Sequence, residues 1–222
     1  MKKQVRIKIC GITTPESAAV AAQAGADFIG IVFAPESPRA VSDRTLIAEI
    51  IDATRTVITP PIPVGVFADA FDPPPPLFDV WREFGDWVQV HDPISRASAH
   101  ALIHYDAIRL LRGQHFDPAE IAAWDEGDIV HAMLIDGPHA GSGEAFDHTA
   151  LADMMESIRH PIFLAGGLTP ENVGEAMRIV KPFAVDVSSG VERERGVKDH
   201  DLIRAFCDAV RAEDTRRDAA GE

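Results

Sequence analysis

The feature that most constrains the fold is a rhythm of eight short apolar runs spread along the 222 residues. They are Val5 to Cys10, Asp27 to Phe33, Pro63 to Ala68, Trp87 to His91, Ala107 to Leu111, Ile129 to Asp136, Ile162 to Ala165 and Ala184 to Ser188. Several are continuous in Val, Ile, Leu or Phe, as expected of strands buried on both faces. The stretches between them are often helical in pattern. Thr13-Thr14-Pro15 opens a helix that stops at Gly25, and Thr169-Pro170-Glu171-Asn172 opens another. Leu202, Ile203, Phe206, Cys207 and Val210 form the apolar stripe of a last helix. Strand and helix in alternation predict a parallel sheet, and eight units in this length predict an α/β fold with one closed (β/α)8 TIM barrel. An open doubly wound sheet is the alternative, although no Gly-x-Gly-x-x-Gly follows the first strand. The barrel is expected over residues 1–212, with 213–222 as a polar, frayed tail.

Charge narrows the partners. Lys plus Arg is 21 and Asp plus Glu is 35, a net charge of −14, which disfavours nucleic acid and anionic membranes. Two cysteines exclude a disulfide scaffold, and no apolar run is long enough to span a bilayer. With no signal-peptide pattern at Met1, the expectation is a cytoplasmic protein, monomeric with a homodimer as the alternative.

Strand parity points to the chemistry. In the first run Val5, Ile7 and Ile9 share one face, which leaves Lys8 and Cys10 directed into the barrel. Cys10 then ends its strand at the C-terminal rim, where barrel enzymes keep their reactive groups; the competing reading is a buried structural cysteine. Cys207, within a helical stripe, reads as core. Asp136 closes an apolar strand, where a carboxylate is costly to bury, and is a candidate acid or base; otherwise it caps the next loop. Three glycine-rich turns follow strands, at 140–143, 165–168 and 187–190. Such turns bring backbone N–H groups close to an anion, and the last two occupy the positions where many barrels hold phosphate. Arg39, after Ser37-Pro38, reads as a guanidinium fork for a carboxylate or as a solvated loop charge. His100 and His104 have i, i+4 spacing but lack the neighbouring Glu and third ligand of a metal site, so no metal is expected. No Gly-x-Ser-x-Gly elbow supports a hydrolase triad.

Taken together, the motifs resemble those of the phosphoribosylanthranilate isomerases of tryptophan biosynthesis over nearly the whole chain. The matching segments are Lys8-Ile9-Cys10-Gly11-Ile12-Thr13, Gly25 to Phe33, Ser37-Pro38-Arg39, Val64-Gly65-Val66-Phe67, Val88-Gln89-Val90-His91, Leu164 to Val173, and Val185 to Glu192 with Gly196-Val197-Lys198-Asp199. The resemblance implies a cofactor-free Amadori rearrangement of a small phosphosugar substrate. It places the general base at Cys10 and the general acid at Asp136, and Lys8 beside Cys10 either favours the thiolate or pairs with Asp186. It places Lys8, Arg39, His91 and Asp186 around the substrate, with Arg39 on the anthranilate carboxylate and Asp186 on a sugar hydroxyl. Phosphate falls on Gly166, Gly167, Ser188, Ser189 and Gly190, helped by Ser142 and Gly143. Two departures stand out: Asp92-Pro93 follows His91 where the family has Gly and an acidic pair, and Ala140-Gly141-Ser142-Gly143 replaces Gly-Gly-Thr-Gly. The competing functions are a related barrel isomerase or epimerase on another phosphosugar, and a non-catalytic or altered-specificity phosphosugar-binding paralogue.

Overall fold

A computed structural model of the chain describes residues 4–67, 76–91, 94–104, 107–137 and 148–220. Eight parallel strands close into one barrel in sequence order: β1 (Arg6–Cys10), β2 (Phe28–Val32), β3 (Ile62–Phe67), β4 (Trp87–Val90), β5 (Arg109–His115), β6 (Ala132–Asp136), β7 (Ile162–Leu164) and β8 (Ala184–Val187). Closure is made by β1 against β8, with Lys8 opposite Asp186. Helices α1 (Pro15–Gln23), α2 (Arg44–Ala53), α3 (Leu77–Trp81), α4 (Arg96–His104), α5 (Pro118–Asp125), α6 (His148–Ala152), α7 (Val173–Val180) and α8 (His200–Ala220) follow the successive strands. A short antiparallel hairpin, β9 (Glu192–Glu194) with β10 (Val197–Lys198), intervenes between β8 and α8.

Local signals account for the helix starts. The Thr14 side chain accepts a hydrogen bond from the Ser17 N–H at 3.2 Å, with Pro15 at the first helical position. Asp43 caps α2 through the Leu46 N–H at 2.9 Å, and Asp117 caps α5 ahead of Pro118 through Ala119 and Glu120.

The strands divide their side chains as parity predicts. Ile7, Ile9, Ile29 and Ile31 join the large core between sheet and helices, whereas Cys10, Phe28, Val32, Val64, Leu111 and Phe163 join a second cluster inside the barrel. Aromatic rings pack the interior: Phe28 meets Phe163 edge-on at 5.3 Å and Trp87 at 5.6 Å, and Phe163 meets Phe183 at 5.7 Å. Cys207 is buried in the outer core, as its helical stripe implied.

Two expectations need correction. The fifth strand is Arg109–His115, not Ala107 to Leu111, because Arg112 and Gln114 are buried polar residues within it. Arg112 lies 5.2 Å from the Trp124 ring and donates to the carbonyls of Val90 and Gly113, so packing hides a strand that hydropathy understates. The frayed tail is also corrected, since α8 runs unbroken to Ala220. Glu213 pairs with Arg178 at 2.9 Å and Arg216 at 2.6 Å, and Asp214 accepts the Val5 N–H, tying the helix to the start of β1.

Candidate active site

The C-terminal rim gathers most of the residues singled out above. Lys8 is wholly buried inside the barrel, and its Nζ donates to Asp186 Oδ1 at 2.6 Å. Its amine is therefore committed to Asp186 beneath the rim. Cys10 lies one inward step above it, opposite Gly30, whose lack of a side chain gives the thiol room: a Cβ there would stand 2.8 Å from Sγ.

Of the two roles open to Lys8, the pairing with Asp186 is the one observed. Burial pushes the Cys10 thiol up and outweighs the Lys8 cation, which Asp186 already partly neutralises.

Asp136 ends β6 at the rim. Its Oδ1 accepts the Gly137 N–H at 2.8 Å, and its Oδ2 lies 3.7 Å from His91 Nε2. Burial pushes this carboxyl up to about 6, and the charge of Asp186 adds to the effect. The Gly137 N–H, His115 and Lys8 offset part of it. His115 Nδ1 lies 2.6 Å from the Gly137 carbonyl oxygen and so braces the turn that Asp136 uses. A carboxylic acid that keeps its proton to about pH 6 is suited to donate one.

Between the β7 and β8 turns is a cavity of about 50 Å³ lined by Asp136, Gly166, Gly167, Ser188, Ser189 and Gly190 among others. Glycine is required at two of these positions. Gly166 has φ +89°, and a Cβ there would fall 2.5 Å from the Gly137 nitrogen. A Cβ on Gly190 would fall 1.9 Å from the Leu168 carbonyl oxygen, so the two turns touch backbone to backbone. Asp186 lines the same cavity. Ser142 and Gly143, expected to help hold phosphate, lie outside the described residues, as do Asp92 and Pro93.

Arg39 reaches the rim from the turn after β2, but half of its fork is occupied. Its Nε and Nη2 donate to the two carboxylate oxygens of Glu192 at 2.6 and 2.8 Å. Lys198 Nζ donates to the same carboxylate at 2.8 Å and to the Ser188 carbonyl at 2.8 Å.

Known proteins resemble this chain in sequence and in fold. Residues 7–209 match the family described as N-(5'phosphoribosyl)anthranilate (PRA) isomerase. This chain belongs to the phosphoribosylanthranilate isomerase family. It is 40% identical to the N-(5'-phosphoribosyl)anthranilate isomerase of Pseudomonas aeruginosa, with 96% of this chain and 98% of the relative covered. The enzyme of the same name from Natronomonas pharaonis is 37% identical over 92% of this chain and 97% of its own length. In three dimensions the chain is similar to the crystal structure of phosphoribosyl anthranilate isomerase from Thermotoga maritima, with TM-score 0.79, 30% identity, and coverage of 94% and 100%. It is also similar to a phosphoribosyl anthranilate isomerase crystallised with reduced 1-(o-carboxyphenylamino)-1-deoxyribulose 5-phosphate, with TM-score 0.77, 29% identity, and coverage of 94% and 100%.

The contacts of Glu192, Lys198 and His115 were not legible in the sequence. Glu192 and Lys198 lay in a recognisable motif, but a motif says nothing of which side chains meet. The Glu192 partner Arg39 is 153 residues away in sequence.

Proposed function

We propose that this isomerase converts N-(5-phosphoribosyl)anthranilate to 1-(2-carboxyphenylamino)-1-deoxyribulose 5-phosphate, with Asp136 as general acid and Cys10 as general base. Asp136 gives its proton to the ring oxygen as the C1–O bond of the furanose breaks. The nitrogen lone pair completes a protonated imine at C1. Cys10 removes the C2 proton, and the C2–H electrons form the C1=C2 bond while the imine π electrons return to nitrogen. The resulting enol becomes the ketone when a proton is added at C1 and the C2 hydroxyl releases its own to solvent. The protonated imine is itself the electron sink, so the chemistry asks nothing of a cofactor.

The observation that carries this reading is the Asp136 carboxyl raised to about 6 beside a glycine and serine cradle on the same rim as Cys10. Ring opening also answers the raised thiol: the imine's positive charge beside Sγ supplies the countercharge that Lys8, shared with Asp186, does not. The cradle's backbone N–H groups and Ser188 and Ser189 receive the phosphate, Arg39 the anthranilate carboxylate, and Asp186 a sugar hydroxyl. His91, near Asp136, completes the substrate wall. The reading puts this chain in the cytoplasm with a small phosphosugar as its partner.

Complementation of a tryptophan-requiring strain lacking this isomerase tests the function, with loss of anthranilate fluorescence in a purified assay as the direct readout. Cys10→Ala, still folded, is expected to lose turnover by about 10²–10⁴-fold and to fail complementation. Wild-type-like turnover in that variant overturns its role. Turnover of the corresponding histidine-pathway substrate alone overturns the choice of reaction.

A further inference from the structure

The Arg39 guanidinium meets Glu192 side-on, through Nε and Nη2, which leaves the end-on pair of donors at Nη1 and Nη2. Nη1 has no protein acceptor among the described residues, and the Arg39 side chain is 14% exposed against 3% for Glu192. The buried carboxylate is held from four directions. Besides the two Arg39 bonds it accepts Lys198 Nζ at 2.8 Å and the Gly196 N–H at 3.0 Å.

Both ends of the bidentate pair are fixed by close backbone approaches. A Cβ on Gly196 would fall 2.7 Å from the Pro38 carbonyl oxygen, so the β9–β10 turn rests on the turn that carries Arg39. A Cβ on Gly11 would fall 2.5 Å from Arg39 Cδ and 3.2 Å from Ser188 Oγ. The arginine stem therefore lies flat across the end of β1, beside Cys10 and the β8 turn. Lys198 ties that turn to the same carboxylate by donating to the Ser188 carbonyl at 2.8 Å.

We propose that Glu192 is a positioning residue for substrate selection: it holds Arg39 side-on so that the end-on fork faces an ortho carboxylate on the aryl amine. The inference rests on the functional reading above. Preference for a carboxylated over a plain aryl amine then passes through a residue that never touches the substrate. A guanidinium can take two carboxylates at once in this way, and its planar geometry makes the second site only as good as the first is rigid.

The test compares two stable ligands on the full chain by calorimetry: reduced 1-(2-carboxyphenylamino)-1-deoxyribulose 5-phosphate and its phenylamino counterpart without the carboxylate. Glu192→Gln is expected to weaken the carboxylated ligand about tenfold and to leave the phenylamino ligand within about twofold. Arg39→Met should abolish the preference, and adding Glu192→Gln to it should change nothing more. Two rivals give different signs. If Glu192 merely damps the positive charge at the rim, its neutralisation tightens the carboxylated ligand, which overturns the proposal. If it merely supports the fold, both ligands weaken equally, which also overturns it. Should Glu192→Gln not fold, Glu192→Asp, which keeps the charge and retracts the fork, carries the same expectation and the same overturning results. Wild-type protein that binds neither ligand overturns the functional reading, and this inference with it; wild-type binding without selectivity loss in the variants overturns this inference alone.

Discussion

Asp136 and Glu192 stand on the same rim, one at the end of β6 and the other just beyond β8, and burial pushes both carboxyls toward the neutral acid. They end at opposite extremes, about 6 for Asp136 and about 2 for Glu192. Their partners decide it. Asp136 has one backbone N–H at 2.8 Å, and the like charge of Asp186 acts against its ionisation. Glu192 has a bidentate arginine, a lysine and a backbone N–H, all favouring the carboxylate. An under-satisfied carboxyl can give and recover a proton near neutral pH. An over-satisfied one is a fixed charge against which other groups are aligned.

The contrast breaks most visibly in turnover. Asp136→Asn is expected to lower kcat by about 10³-fold, while Glu192→Gln changes kcat by less than about threefold and acts chiefly on KM. Steady-state rates on the natural substrate check this, and a comparable kcat loss in both variants would erase the distinction.

Stability should then move in opposite directions. The Glu192 pKa is depressed on folding, so its contribution is present above the ordinary value of 4.5 and is lost as pH falls toward about 2. Urea unfolding of Glu192→Gln at pH 7 is expected to show a loss of about 2–3 kcal/mol, shrinking as the medium is acidified below 4.5. The Asp136 pKa is raised on folding, so its ionisation costs stability above about 6 and costs nothing well below 3.8. Asp136→Asn is therefore expected to stabilise by about 2 kcal/mol at pH 8 and by nothing measurable at pH 3. An inactive variant that is also no more stable at pH 8 would break the account of Asp136.

The smallest effect concerns the pH profile of activity. Catalysis needs Asp136 protonated and Cys10 ionised, a form with the same proton count as the predominant one at neutral pH. Activity is therefore expected to rise through about pH 6 and to fall only above the ordinary thiol range. The kcat/KM profile of Glu192→Gln should keep the limb near 6, because Glu192 is not among the groups that shift Asp136. Displacement of that limb in Glu192→Gln would mean that the two carboxyls are coupled after all.

What the chain itself determined was periodic and local. Apolar runs set the number and order of the eight barrel strands; parity turned Lys8 and Cys10 inward; and caps such as Thr14 and Asp117 started their helices. Asp136 at the end of an apolar run was legible as chemistry because an isolated carboxyl in that position is expensive. The turn glycines were legible for a like reason, since Gly166 adopts a conformation open to few other residues. Hydropathy failed where polar side chains are covered by distant groups, as Arg112 is by Trp124 in β5 and Glu213 by Arg178 in α8. Tertiary structure alone decided the charge states. Whether Lys8 tunes its neighbour Cys10 or pairs with Asp186 was open in the sequence; it donates to Asp186, 178 residues away, and burial pushes the thiol up. Arg39 read as a fork for a carboxylate or as a solvated loop charge, and Glu192, 153 residues away, fills half of that fork. Composition and spacing locate ionisable groups along the strands, but protonation depends on desolvation and on partners that only barrel closure brings within a few ångströms.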